Sequence, residues 1–132
     1  MSYSIEGKTA IVTGAANGVG LAFARHFANK GANVMFADMD EPRLAKEIGR
    51  TDEDDRIRYF AGDLRERLTL TNLLSATLDS FDRVDVLVNA SRQLMPSDPL
   101  DMDDDSVETL LDQNLMTSLR LSQLVAKRMI KQ

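Results

Sequence analysis

A chain of 132 residues has room for one compact domain and too little for two. Hydrophobic residues at 43% and charged residues at 28% are the proportions of a folded globular protein rather than a disordered one. Sixteen basic against 21 acidic side chains leave a net charge of -5, which disfavours nucleic acid as a partner, and the lack of cysteine excludes disulfides, thiolate metal sites and a cysteine nucleophile. Residues 1–8 carry neither the apolar core nor the basic lead-in of a signal peptide, and no apolar run approaches the ~18 residues of a membrane span. The expectation is a cytoplasmic protein with no membrane partner.

The β-branched run Thr9–Thr13 (TAIVT), stopped by Gly14, predicts the first strand. Helical periodicity follows over residues 18–30, with Phe23 and Phe27 four apart and Gly31 as the stop. Residues 33–37 (NVMFA) predict a second strand. Residues 42–48 predict a short helix with Leu44, Ala45 and Ile48 on one side. An acidic loop over 52–55 leads to a third strand at Ile57–Ala61, and 68–81 is helical. Residues 84–89 (VDVLVN) predict the fourth strand. A loop over 90–105 holds Pro96, Pro99 and the acidic stretch 101–105, and one long helix starts near Ser106. Four alternations of strand and helix predict parallel βαβ units, hence an α/β, doubly wound parallel sheet of order 3-2-1-4. The acidic runs read as solvated loops, the sole histidine, His26, as a surface residue, and the seven methionines as core filler. No cluster has metal-ligand spacing, so no metal is expected.

At the first strand-to-helix junction stands Thr13-Gly14-Ala15-Ala16-Asn17-Gly18-Val19-Gly20, a G-x-x-x-G-x-G spacing. Gly14 suits a tight turn, Gly18 lets a pyrophosphate approach the backbone, and Gly20 allows the helix to pack closely on the strand. The helix start adds unpaired N–H groups and a positive dipole end. Asn17 and Val19 complete the candidate cofactor contacts of this loop. Asp38 ends the second strand, where an acid accepts hydrogen bonds from the adenosine ribose and repels a 2′-phosphate. No Arg or Lys stands in the loop itself, so NAD is expected over NADP.

These residues resemble the short-chain dehydrogenase/reductase family in its compact single-domain form, whose T-G-x-x-x-G-x-G matches Thr13 to Gly20 in full. The resemblance covers essentially the whole chain and implies a Rossmann-type fold, truncated here after the fourth βα unit. It implies that Asp63, followed by Leu64 in the run Ala61-Gly62-Asp63-Leu64, binds the adenine ring. It also implies that Asn114 is the helix asparagine of the catalytic tetrad, which fixes a water in a proton relay by bending the long helix locally. The final helix would contribute to a homodimer or homotetramer.

Two motifs depart from the family. Its Asn-Asn-Ala-Gly run is Asn89-Ala90-Ser91-Arg92 here. Either Asn89 is the first asparagine without a gap, or a one-residue deletion makes it the second and puts Ser91 at the glycine position. In both registers Asn89 and Ala90 are candidate cofactor contacts, and a residue larger than glycine stands nearby. The Tyr-x-x-x-Lys pair is missing, since Gly7 follows Tyr3 by four residues and Asp63 follows Tyr59 by four.

The resemblance therefore implies that residues 1–132 are the dinucleotide-binding front portion of an NAD-dependent oxidoreductase, with the downstream catalytic part absent. The substrate would be a small-molecule alcohol or ketone, and the segment alone would be inactive. The other reading is a non-catalytic NAD-binding sensor or regulatory module, to which the missing pair would be native.

Overall fold

The computed structural model describes residues 2–49 and 54–132; Asp52 and Glu53 of the expected acidic loop lie outside them. Four parallel strands form one sheet: β1 (Thr9–Thr13), β2 (Asn33–Asp38), β3 (Ile57–Ala61) and β4 (Val86–Val88), in the order β3-β2-β1-β4. Ile11 is in register with Met35 on one side and Leu87 on the other, which centres the sheet on β1.

Alternate residues of β1 and β2 feed two separate cores, because successive side chains on a strand point to opposite faces. Val12, Val34 and Phe36 meet α1 (Gly18–Asn29) and α2 (Glu41–Ile48) through Ala24, Ala28 and Leu44. Ile11, Met35 and Ala37 meet α3 (Arg67–Phe81) and α5 (Thr117–Lys131) through Leu70, Leu73, Leu121 and Val125. Helices thus cover both faces, as expected of a doubly wound sheet. The buried positions of α1 are Gly20, Ala24 and Ala28, four apart and all small, so its axis lies close against the strands. In α2 only Leu44 is fully buried and Ile48 packs beside it, while Ala45 is exposed rather than on the buried side.

Two predicted elements differ. The fourth strand is shorter than residues 84–89. The Gln132 side-chain amide bonds both backbone groups of Val84 (2.7 and 3.3 Å), and the Asp85 carboxylate takes the Thr9 N–H at 2.9 Å. Side chains thus replace part of the ladder at its start.

The single long helix is two α-helical segments, α4 (Asp104–Leu111) and α5, joined by a π-helical turn at Asp112–Met116. It begins earlier than Ser106 because Asp103 caps it, accepting from Asp105 N–H (3.2 Å) and the Ser106 hydroxyl (3.3 Å). The π turn is held by Thr117, whose N–H and hydroxyl both donate to the Asp112 carbonyl five residues back, the hydroxyl at 2.9 Å. Among the described residues no helix is long and apolar enough to cross a membrane, and no three or more acidic or histidine side chains gather where they could hold a metal ion. His26 is exposed, as expected.

Candidate functional site

An open cleft of about 370 Å³ lies at the carboxyl ends of the strands. It spans β1 and β4, where the order of connections reverses, the position at which open α/β sheets take their ligands. One wall is the loop from β1 into α1, with Gly14, Asn17, Gly18, Val19 and Gly20 at its surface. Gly14 has φ +63°, and a Cβ there would stand 2.7 Å from the Ala90 carbonyl oxygen and 2.8 Å from the Ser91 Cα. A side chain at Gly20 would run into the Gly14 carbonyl. Glycine is therefore what lets the start of α1 sit directly beneath the loop. Asn17 caps α1 without a side-chain hydrogen bond, and the first N–H groups of a helix have no partner within it. With Gly18–Gly20 on the wall, this dipole end faces the cleft.

Asp38 supplies the second wall. Its Oδ2 accepts from the Ala16 N–H at 3.1 Å and its Oδ1 from the Asp40 N–H at 3.0 Å. The carboxylate is thereby fixed beside the glycine loop. The other end of the Ala16 residue is held too, its carbonyl accepting from Arg43 Nε at 3.0 Å. Beyond Asp38, Gly62, Asp63 and buried Leu64 continue the lining from the end of β3. Asp63 accepts from Arg65 through both carboxylate oxygens, the shortest bond 2.7 Å, and this pairing holds its carboxyl below the usual range.

The remaining wall comes from the segment after β4: Ala90, Ser91, Arg92 and Gln93, with Gln113 behind. The Thr13 hydroxyl stitches it to β1, accepting from Ala90 N–H (3.1 Å) and Ser91 N–H (3.2 Å) and donating to the Val88 carbonyl (3.4 Å). Gln113 Nε2 donates to Ser91 Oγ at 3.0 Å. Asn89 and Asn114 are not part of the lining. The Asn89 amide donates instead to Ser122 Oγ at 3.0 Å. Asn114 stands behind the wall within the π turn, its side chain bonded to the backbone of Gln93. The cleft thus gathers Gly14, Asn17, Gly18, Val19, Gly20, Asp38, Asp63, Leu64 and Ala90, but neither Asn89 nor Asn114. Tyr3 and Tyr59 also lie away from it.

Sequence reading missed Met39, Gly62, Ser91, Arg92, Gln93 and Gln113 as lining residues, and gave Thr13 no role of its own. Met39 and Gly62 adjoin residues already singled out, which is a usable signal. Thr13 opens the glycine motif, but nothing local marks its bonds or Gln113, whose partners lie 77 and 22 residues away.

Residues 8–132 match the family model described as short chain dehydrogenase. The chain is 32% identical to D-threitol dehydrogenase of Mycolicibacterium smegmatis, over 98% of this chain and 50% of that protein. It is 29% identical to 2,3-dihydro-2,3-dihydroxybenzoate dehydrogenase of Bacillus subtilis, over 96% and 49%. A 3-ketoacyl-(acyl-carrier-protein) reductase from Brucella melitensis, solved in complex with NADH, superposes with a TM-score of 0.85 at 25% identity, over 95% of this chain and 51% of that one. The chain spans about half the length of the curated relatives it matches. With the family model matched almost from end to end and the parallel sheet in the same arrangement, this chain belongs to the short-chain dehydrogenase family of oxidoreductases.

Proposed function

We propose that this chain is the dinucleotide-binding portion of an oxidoreductase that uses NAD in preference to NADP and acts on a small-molecule alcohol or ketone. The observation that carries the reading is the Asp38 carboxylate, fixed by the Ala16 N–H at 3.1 Å on the same cleft as the first turn of α1. The residues present fit such a group. Backbone N–H groups at the start of α1 would meet its phosphates, and Gly18, where a Cβ would have no atom within 4 Å, leaves the backbone bare for a close approach. Asp38 suits the two ribose hydroxyls and opposes a 2′-phosphate by charge. Asp63 and Leu64 suit the adenine end, and Ala90 the opposite end. A bound nicotinamide supplies the hydride donor or acceptor carbon.

Proton transfer to the substrate is assigned to residues outside this chain. The cleft contains no tyrosine and no lysine among its lining residues, and Asn114 contributes from behind, through Gln93. We further propose that the exposed row Leu111, Leu115 and Leu119, at 52%, 56% and 46% exposure, is the subunit contact of a homodimer or homotetramer.

Fluorescence or calorimetric titration with NADH and NADPH tests the cofactor reading. NADH is expected to bind at least about tenfold more tightly, roughly 1.4 kcal/mol. Asp38→Ala is expected to narrow the gap by strengthening NADPH binding. Equal affinities in the unaltered chain would refute the assignment of Asp38, and binding of neither cofactor would refute the assignment of the cleft.

A further inference from the structure

Among the described residues Arg92 is the one cation lining the cleft. The backbone on either side of it is pinned. Before it, the Ser91 N–H donates to Thr13 Oγ1 at 3.2 Å, and the Ser91 hydroxyl accepts from Gln113 at 3.0 Å. After it, the Asn114 amide bonds both the N–H (2.7 Å) and the carbonyl (2.9 Å) of Gln93. The guanidinium itself makes no hydrogen bond or ion pair among the described residues. By contrast Arg65, adjacent to the lining residue Leu64, is taken up by Asp63. A fixed base with a free, exposed charged end leaves that charge available to a ligand in the cleft.

Its place in the cleft selects the ligand. The Cα of Ser91, one residue earlier, abuts Gly14 of the phosphate loop, where a Cβ would come within 2.8 Å. Arg92 therefore lines the cleft on the wall that abuts the phosphate loop. Two carboxylates line the same cleft, and the one on Asp38 has only backbone N–H groups as partners. The chain as a whole is at -5. The half-charge of one helix end is small compensation for a doubly charged anion brought into such a field. A guanidinium, with its planar fork of donors, matches phosphate oxygens in both charge and geometry.

We infer that Arg92 binds the diphosphate of the dinucleotide from the β4 side, opposite the amides of α1. The inference rests on the cofactor reading above and adds a contact that comes from the segment least like the family's own. The same chemistry would recognise an anionic group on the substrate, so the two sources have to be separated by the probe.

The test compares the affinities of adenosine, ADP-ribose and NADH for the unaltered chain, Arg92→Met and Arg92→Lys. Because Arg92 is exposed and unpaired, thermal unfolding of both variants should match that of the unaltered chain. Arg92→Met is expected to weaken ADP-ribose and NADH at least about tenfold, the usual size of a lost charge-assisted hydrogen bond, and to leave adenosine unchanged. Arg92→Lys should recover part of the loss. The dependence of ADP-ribose binding on salt should be flatter in Arg92→Met. Unchanged ADP-ribose affinity in Arg92→Met would overturn the inference and assign the cation to a different anion, with the cofactor reading intact. An equal loss for adenosine would also overturn it, by showing that the wall rather than the charge had been altered. If the unaltered chain binds none of the three probes, the cofactor reading itself falls.

Discussion

Asn114 and Gln93 form a closed two-bond ring: Asn114 Nδ2 donates to the Gln93 carbonyl at 2.9 Å, and its Oδ1 accepts the Gln93 N–H at 2.7 Å. The amide satisfies a backbone as a neighbouring strand would, and it does so from the π turn at Asp112–Met116. A helix that departs from α geometry there aims the side chain at the cleft wall. It leaves Asn114 exposed and holds the backbone of Gln93, a residue of the cleft wall.

This relation sets the expected effect of Asn114→Leu. Gln93 would lose both bonds, and in the complete protein kcat should fall at least about tenfold, near 1.4 kcal/mol of barrier, with cofactor affinity nearly unchanged. Asn114→Asp keeps the acceptor and loses the donor, so it should fall between. Steady-state kinetics beside a cofactor titration separates rate from binding. Loss of NAD affinity without loss of rate would contradict the role.

Gly14 and Gly18 both have positive φ, +63° and +54°, but differ in surroundings. A methyl at Gly14 meets the Ala90 carbonyl, whereas one at Gly18 meets no atom within 4 Å. Gly18→Ala should cost about 1–2 kcal/mol, the strain of a left-handed residue alone. Gly14→Ala should cost more, by about 1–3 kcal/mol of steric displacement of the Ala90–Ser91 segment. Urea unfolding of the two variants gives the comparison, and equal losses would mean that the segment yields freely.

Asp85 is held by Arg83, with bonds of 2.6 to 3.1 Å, and by the N–H of buried Thr9 at 2.9 Å. The Arg83 hydrogen bonds keep its carboxyl below the usual range. A carboxyl depressed in the folded state stabilises fully above its unfolded value, about 3.9, and loses that contribution as pH falls through the folded value. Asp85→Ala leaves the Thr9 N–H unpaired and should cost about 1.5–3 kcal/mol at pH 7. Chemical denaturation at pH 7 and at pH 3 should show the gap between the two proteins shrinking in acid. A gap constant with pH would assign the loss to packing instead of charge.

Leu115 stands at 56% exposure between Leu111 and Leu119. If this row is a subunit contact, Leu115→Arg places a charge in the middle of it and should shift sedimentation toward the monomer, with little change in the melting of the monomer itself. An unchanged oligomer would move the contact elsewhere, and a chain monomeric before substitution would remove it.

Much of the fold was legible in residue order, because period and punctuation are local. The runs 9–13 and 57–61 end where Gly14 and Gly62 follow, and the sheet order comes from parallel strands joined by right-handed crossovers. Gly14, Gly18, Gly20 and Asp38 were legible as a group for the same reason, since a phosphate loop and the acid after it lie within one βαβ unit. Three things were decided only by tertiary structure. The start of β4 is satisfied by Gln132, 48 residues on. Asn89 pairs with Ser122 instead of facing the cleft. The wall at Ala90–Gln93 is shaped by Thr13, Gln113 and Asn114 from two other elements. Each depends on which distant side chain reaches an unpaired backbone, hydroxyl or amide group, and that is set by the packing of the chain, not by the spacing of residues along it.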